Sequence, residues 1–179
     1  MHQPLAMKRT WSDRLGGPGL AAIAVFAISL GTLGGAWYFQ YVLKYPPCPL
    51  CLDERISYYI IIPLSLLLAL AAWAGTPRRL VAAGLGVIVL AALCDAALAA
   101  YHSGVEWHFW PGPSDCSGPL GDIDLGGGSL LDQLKSIHVV RCDQAAWRFL
   151  GISLAGYNVL ICLAMAAVAG YGLLTRRGR

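Results

Sequence analysis

The sequence predicts an all-α membrane protein, a bundle of four transmembrane helices with two outer loops. Of its 179 residues, 57% are hydrophobic and only 13% are charged, and the mean hydropathy is +0.59, whereas ordinary soluble domains carry about 25% charged residues. Four separate stretches reach the roughly 20 apolar residues that a membrane crossing needs: residues 20–40, 56–74, 80–100 and 149–174. They leave no room for a second domain, so residues 1–179 form one membrane domain with outer loops 41–55 and 101–148.

The first span could be read as a secretory signal peptide, because Lys8, Arg9 and Arg14 precede it. Its apolar run is too long for that class of segment, however, and it ends in the aromatic residues 37–39 rather than in a small-x-small cleavage site. We therefore interpret it as a retained transmembrane helix.

The distribution of basic residues predicts the orientation. Cytoplasmic segments of membrane proteins are enriched in lysine and arginine. One side of the predicted bundle holds eight of them in short segments, namely Lys8, Arg9, Arg14, Arg78, Arg79, Arg176, Arg177 and Arg179. The other side holds five over much longer loops, namely Lys44, Arg55, Lys135, Arg141 and Arg148. Both termini are therefore predicted to be cytoplasmic. The net charge of +3 comes from basic residues that set this topology, so it does not indicate a partner, and we expect no nucleic-acid partner.

The second span is preceded by Cys48-Pro49-Leu50-Cys51, at the outer water boundary. Proline suits the first turn of a helix, and a helix that begins there would put the two thiols one turn apart. The free N–H groups and the dipole at a helix N-terminus stabilise a thiolate and lower its pKa. Arg55 follows Cys51 by four residues and falls on the same helical face. It would hold a permanent positive charge beside that thiolate or beside a bound polar head group.

A second pair, Cys116 and Cys142, lies 26 residues apart on the long outer loop. Spacing alone favours a structural disulfide that closes this loop, but a Cys-x-x-Cys motif on the same side favours dithiol–disulfide exchange between the pairs. A zinc site is the weaker alternative, because the second pair lacks the x-x spacing of zinc ligands. The sequence thus predicts no metal site. Cys94 and Cys162, inside the third and fourth spans, are interpreted as small apolar filler.

Two further patterns concern packing. Gly31-x-x-x-Gly35 and Gly84-x-Gly86 would let helix backbones approach each other closely. In the second outer loop, residues 129–132 resemble a capping box followed by apolar positions at helical spacing. They predict a short helix, either at the membrane interface or packed on the rest of the loop.

Taken together, these motifs resemble the disulfide-bond-formation protein B (DsbB) family of bacterial inner-membrane thiol:quinone oxidoreductases. The resemblance extends from the first span to the last and rests on both cysteine pairs in a four-span layout with Arg55. The matching segments are Cys48-x-x-Cys51-x-x-Glu54-Arg55, the 26-residue offset of Cys116 and Cys142, Tyr101-His102-x-Gly104-Val105-Glu106 with Trp110-Pro111-Gly112-Pro113, and Cys142-x-x-x-x-Trp147-x-Phe149-Leu150-Gly151.

The resemblance implies a relay of disulfide exchange. A reduced periplasmic DsbA-like protein would attack the Cys116–Cys142 disulfide, Cys142 would then attack Cys48, and Cys51 would pass two electrons to ubiquinone or menaquinone. It further implies that Arg55, His102 and Trp147 lie near the quinone. For His102 the residues themselves leave an alternative open, an interfacial histidine whose polar end merely reaches toward water.

Three alternative functions are compatible with the sequence. One is an oxidase like the vitamin-K-epoxide-reductase group, although that group carries its Cys-x-x-Cys late in the chain. Another is a DsbB paralogue with one dedicated client. The third is a non-enzymatic membrane protein that binds metal or senses redox state.

Overall fold

A computed structural model of the chain describes residues 11–113 and 141–175, with side chains from residue 16 onward. Within this part of the chain, four helices are long and apolar enough to cross a membrane. They are α1 (Trp11–Trp37), which continues into a π-helical turn (Tyr38–Val42), α2 (Pro49–Trp73), α3 (Arg78–Glu106) and α4 (Leu154–Leu174). The prediction of an all-α, four-span membrane bundle is confirmed. The short helix predicted near residues 129–137 lies outside the described residues.

The ends of the helices follow local sequence signals. Helix α1 is kinked at Gly16, whose φ of +60° suits glycine. Helix α2 begins at Pro49 and helix α3 runs to Glu106, so both extend further into the predicted outer loops than residues 56 and 100. Two short antiparallel strands, β1 (Arg148–Phe149) and β2 (Ile152–Ser153), precede α4. The Ser153 hydroxyl then caps α4 by accepting a hydrogen bond from the Gly156 backbone N–H at 3.2 Å.

The four helices pack as a ring in which each packs mainly on two neighbours, with a smaller contact between α1 and α3. Helix α3 packs on α4 and α1 packs on α2, and the contacts of α1 with α4 and α2 with α3 close the ring. Ile61, Leu85, Ile88 and Met165 are completely buried at its centre. Large apolar side chains cover the outer surface instead, among them Leu67, Leu90 and Leu160. An apolar outer surface over four such helices is the surface expected of a multi-pass membrane protein.

Glycine allows close helix contact at two positions. A Cβ added to Gly172 would lie 2.5 Å from the Ala21 Cβ, and a Cβ on Gly84 would collide with the side chain of Leu68. Gly31 and Gly35 differ, because a Cβ on either would meet nothing within 4 Å. The predicted close approach is therefore found at Gly84 but not at Gly86, where a Cβ would also meet nothing within 4 Å, nor at the Gly31–Gly35 pair.

Candidate active site

The Cys-x-x-Cys motif forms the first turn of α2. Cys48 is the N-cap residue, with φ −77° and ψ 167°, and Pro49 occupies the first helical position. Proline fits there because its missing N–H is one that the helix would leave unpaired. The turn brings the two thiol sulfur atoms to 2.7 Å, and the Cys51 backbone N–H donates to the Cys48 Sγ at 3.3 Å. Both cysteines are in the dithiol form.

Cys48 is the more enclosed of the two thiols, at 4% exposed. Its hydrogen bond with the Cys51 thiol is the main cause that lowers the pKa of Cys48 below its usual value. Burial opposes this effect, the backbone N–H of Cys51 assists it, and the charges of Glu54 and Glu106 oppose it. Cys48 is therefore the member of the pair that forms a thiolate more readily than an ordinary cysteine.

His102 of α3 lies directly behind Cys48. Its Nε2 is 3.5 Å from the Cys48 Sγ, and its Nδ1 is 2.6 Å from Oε1 of Glu54. An ionised Glu54 carboxylate can only accept, so the hydrogen of this contact belongs to Nδ1, and Nε2 faces the Cys48 thiol. The side chain is 2% exposed, which excludes the alternative of a histidine that reaches toward water. The structure thus brings His102 to the thiol pair.

A largely apolar cavity of about 270 Å³ lies on the other side of the pair. Ligand pockets begin at roughly 300 Å³, so this cavity approaches the size that a planar head group needs. Cys51 and Arg55 of α2 line it together, as their four-residue spacing predicts. Apolar and aromatic side chains form most of the remaining wall, among them Leu33, Ala36, Phe39, Tyr45, Pro46, Pro47, Ala146, Leu154 and Ile161.

Arg55 is held in place by the end of the first span. Its guanidinium donates to the side-chain oxygen of Gln40 in the π-helical turn. Trp147, which the family resemblance puts near the quinone, is not among the residues that line the cavity, and neither is His102. Trp147 instead packs edge-on against Phe39, with ring centroids 5.1 Å apart, and stacks on Phe149. Trp147 therefore supports an aromatic wall of the cavity from behind.

A chain of buried polar groups runs from this site into the bundle. Asn158 of α4 donates to Oε2 of Glu54 at 2.9 Å, and the Tyr58 hydroxyl donates to Oδ1 of Asn158. Deeper still, the Cys162 thiol donates to Oδ2 of Asp95 at 3.1 Å. Cys162 belongs to the apolar core, as predicted, but it also has polar partners that the interpretation as filler did not include. Cys94 is exposed on the outer surface of the bundle.

The structure describes only one cysteine of the second pair. Cys142 is 1% exposed and disulfide-bonded, and Cys116 lies outside the described residues. Cys142 belongs to one buried cluster with Cys48, Leu50 and Val105. The structure therefore brings a residue of the outer loop against the buried sulfur of the Cys-x-x-Cys motif, although 94 residues separate them in the sequence.

Sequence reasoning undervalued Glu54 and did not consider Asn158. Glu54 entered the sequence analysis only as part of the motif, whereas in the structure it contacts His102, lines the cavity and is 7% exposed. Asn158 carried a signal that was available in the sequence, because a polar side chain inside an apolar span is a functional hypothesis by default. Both residues line the cavity, and a hydrogen bond joins them.

Comparison with known proteins gives a consistent result. A protein-family model described as "Disulfide bond formation protein DsbB" matches residues 18–172. "Disulfide bond formation protein B" of Aromatoleum aromaticum is 31% identical over 157 residues, which cover 87% of this chain and 91% of that protein. Proteins of the same name from a Polaromonas species (28% identical, 89% of this chain and 88% of that protein) and an Azoarcus species (29%, 88% and 93%) are also similar. No solved structure matches the chain.

Proposed function

The chain belongs to the DsbB family and thus serves disulfide-bond formation, and from that premise we propose that it re-oxidises a DsbA-like dithiol protein and passes two electrons to a membrane quinone. One observation carries the proposal: the two sulfur atoms of a single helical turn face different surroundings. Cys48 packs in a buried cluster with Cys142, whereas Cys51 lines the apolar cavity with Arg55.

On the exchange side, four successive thiolate attacks would transfer the disulfide of Cys48 and Cys51 to the partner. A thiolate of the reduced partner attacks Cys116 of the Cys116–Cys142 disulfide, which forms a mixed disulfide and releases the Cys142 thiolate. Cys142 attacks Cys48 of the Cys48–Cys51 disulfide and releases the Cys51 thiolate. The partner's second thiolate then displaces Cys116, and the Cys116 thiolate attacks Cys142 and releases Cys48. The partner leaves oxidised, the outer-loop disulfide is restored, and Cys48 and Cys51 remain as a dithiol.

On the cavity side, the wall suits a quinone head group, because mostly apolar surface surrounds a few polar groups, which are the Arg55 cation, the Cys51 thiol and the side chains of Thr32, Glu54, Tyr58, Tyr157 and Asn158. A bound quinone supplies an acceptor for two electrons and two protons as Cys48 and Cys51 return to the disulfide. Arg55 would orient a carbonyl oxygen and stabilise negative charge that develops on it. DsbA-type proteins have potentials near −120 mV, so their re-oxidation needs an acceptor of comparable or higher potential.

The remaining site residues act around these two sulfurs. We propose that His102, held through Nδ1 by Glu54, accepts the proton of the Cys48 thiol at Nε2. Its predicted contact with quinone stays a prediction. Trp147 would act on the cavity through Phe39, because the two rings pack together.

The test is turnover of the purified full-length protein with a reduced DsbA-like partner and a short-chain quinone. Cys48→Ser and Cys51→Ser should abolish quinone reduction, whether a partner protein or a small dithiol supplies the electrons. Cys116→Ser and Cys142→Ser should block oxidation of the partner but retain reduction driven by the small dithiol. Cys94→Ala, an exposed cysteine on the outer surface, is the matched control and should retain turnover. Quinone reduction by Cys51→Ser would contradict the proposal.

The proposal also includes a location, the bacterial inner membrane with both termini cytoplasmic. The count of lysine and arginine residues supports this orientation. A membrane-impermeant maleimide applied to reduced spheroplasts should label a variant that retains only Cys116, and should not label variants that retain only Cys94 or Cys162. Labelling of cysteines introduced near the termini would invert the orientation.

A further inference from the structure

Three metal-ligating side chains converge at the start of α2. Donor atoms of Cys48, Cys51 and His102 all lie within 4.8 Å of one another. Two of the three residues are buried and Cys51 is half-buried. Two sulfur ligands and one imidazole nitrogen form a common part of tetrahedral zinc sites. We propose that the dithiol form of this protein binds one Zn²⁺ through these residues, and that the bound ion arrests the enzyme in its reduced state.

The support behind His102 is of the kind found at zinc sites. Zinc-bound histidines commonly donate their second ring N–H to a carboxylate, which fixes the ring orientation and makes the ligating nitrogen more basic. Here Glu54 lies 2.6 Å from Nδ1, so Nε2 is free to bind on the side of Cys48. Both partners are buried, and the ring is therefore oriented before any ion arrives.

Glu106 is the proposed fourth ligand, and it would have to approach the other three, because it does not belong to the group whose donor atoms lie within 4.8 Å of one another. It is 7% exposed, and its Oε1 lies 4.0 Å from Nε2 of His102. Its other oxygen, Oε2, has no hydrogen-bond partner among the described residues. A buried carboxylate oxygen without a partner is costly, and carboxylate oxygen is an ordinary zinc ligand. An ion bound to the cysteines and His102 would give this oxygen a partner.

Binding in this site depends on the redox state. Zinc binds thiolates, so each cysteine releases one proton on coordination, whereas a disulfide offers no thiolate. With Zn–S bonds of about 2.3 Å and tetrahedral angles, the sulfur atoms would lie roughly 3.7 Å apart, so the pair must open from its present 2.7 Å. Coordination then occupies a lone pair on each thiolate sulfur, so that neither sulfur can lose electrons to an acceptor and form the disulfide. Zinc binding itself does not depend on the proposed function, but the arrest of turnover rests on the proposed function.

The first experiment measures zinc on the full-length protein with Cys116→Ala and Cys142→Ala, so that the outer-loop thiols do not contribute. After anaerobic reduction and removal of the reductant, titration against a chromophoric chelator should show one equivalent of Zn²⁺. Cobalt in place of zinc should give the charge-transfer absorption of thiolate ligands and the visible bands of a tetrahedral ion. The disulfide form should bind neither metal, and equal binding by both forms would overturn the proposal.

Matched variants test the ligand set. His102→Ala and Glu106→Gln should each weaken zinc binding by at least roughly 10-fold, and Glu54→Gln by about 10–100-fold, the range for partners that orient a ligand. His108→Ala, an exposed histidine just beyond α3, and Cys94→Ala are the controls and should bind like the parent. Unchanged affinity in both His102→Ala and Glu106→Gln would reduce the site to two cysteines and overturn the proposal. Glu106→Gln preserves shape, so it decides the outcome if His102→Ala does not fold.

A turnover measurement separates this proposal from the proposed function. Saturating Zn²⁺ should slow quinone reduction by the dithiol protein, and a chelator should restore it. If the zinc-free protein does not reduce quinone, the proposed function is contradicted, whereas the result of the zinc titration remains valid. Normal quinone reduction together with no zinc binding would overturn only the metal site.

Discussion

The two halves of the helix bundle bury different kinds of side chain. The cysteine half, between the Cys48 end of the bundle and the middle of the helices, encloses the buried side chains of Glu54, His102, Glu106 and Asn158, and buried Asp95 lies at its border with the other half. The opposite half encloses alanine, glycine and aliphatic side chains, such as Ala21, Leu68, Gly84, Leu85 and Gly172.

The side chains that stabilise the helix packing and the side chains that serve the chemistry therefore lie at different positions along the membrane normal. Close contact between small residues is the main source of helix association in lipid, where apolar side chains gain little from leaving the solvent. Buried polar groups are costly unless they are paired, so their concentration in one half indicates a use other than stability. We expect substitutions in the opposite half to change stability with little effect on turnover, and substitutions in the cysteine half to do the reverse.

The largest test of this division is Arg55→Ala. It removes the cation on the cavity wall, and loss of a charge-assisted hydrogen bond of about 1.5–3 kcal/mol corresponds to roughly 10–150-fold in kcat/KM for quinone. Lysine should rescue only partly, because it keeps the charge and loses the planar fork. Mixed-disulfide formation with the partner should be unaffected, since that step uses Cys116.

Arg78→Ala is the matched control at the other end of the bundle. Arg78 is exposed and donates to the backbone carbonyl of Leu173 at 3.0 Å, far from the cavity. Quinone kinetics should match those of the parent protein. Equal losses in the two arginine variants would break the proposed division between the halves, and unchanged kinetics in Arg55→Ala would remove Arg55 from the site.

The next test adds one carbon atom to the opposite half. In Gly172→Ala the new Cβ would lie 2.5 Å from the Ala21 Cβ, and such overpacking costs about 1–3 kcal/mol. Gly170→Ala, two residues earlier in the same helix, meets nothing within 4 Å and should be neutral or stabilising by about 0.4–1 kcal/mol. Reversible unfolding in detergent would measure both, and turnover per folded molecule should stay constant. A loss of quinone turnover in folded Gly172→Ala would show that the halves are coupled.

The smallest effect is expected at the border between the halves. Asp95 is 1% exposed, and its Oδ1 has no hydrogen-bond partner among the described residues. Asp95→Asn keeps an acceptor for the Cys162 thiol and removes a buried acid, so the unfolding free energy should change by less than about 1 kcal/mol. Asp95→Leu, the comparison variant, deprives that thiol of its acceptor and should cost about 1–3 kcal/mol. A strong loss of turnover in stable Asp95→Asn would instead assign Asp95 to the chemistry.

Features carried by neighbouring residues could be predicted from the sequence. The four spans follow from the lengths of apolar runs, since a helix in lipid must satisfy its own backbone groups over the full thickness. The start of α2 follows from Pro49, and the common wall of Cys51 and Arg55 follows from the repeat of the helix. The family resemblance rests on the same local motifs, and the comparisons confirm it.

Contacts between helices could not be predicted in this way. His102 meets Cys48 across 54 positions of sequence, and Asn158 meets Glu54 across 104. Gly31 and Gly35 have the spacing of a helix contact, yet neither has a close neighbour. Each such pairing depends on how far a helix is rotated about its axis and shifted along it, and the packing of all four helices decides both quantities together.

The sequence by itself determined the class of the protein, the number of spans, the Cys-x-x-Cys motif at the start of the second span and the residue that lies one turn beyond Cys51. Only the tertiary structure decided that one sulfur of the motif faces an imidazole and a carboxylate while the other faces an apolar cavity. The physical reason is that hydropathy and helix starts are properties of adjacent residues, whereas the surroundings of Cys48 and Cys51 are built by side chains from several separate segments.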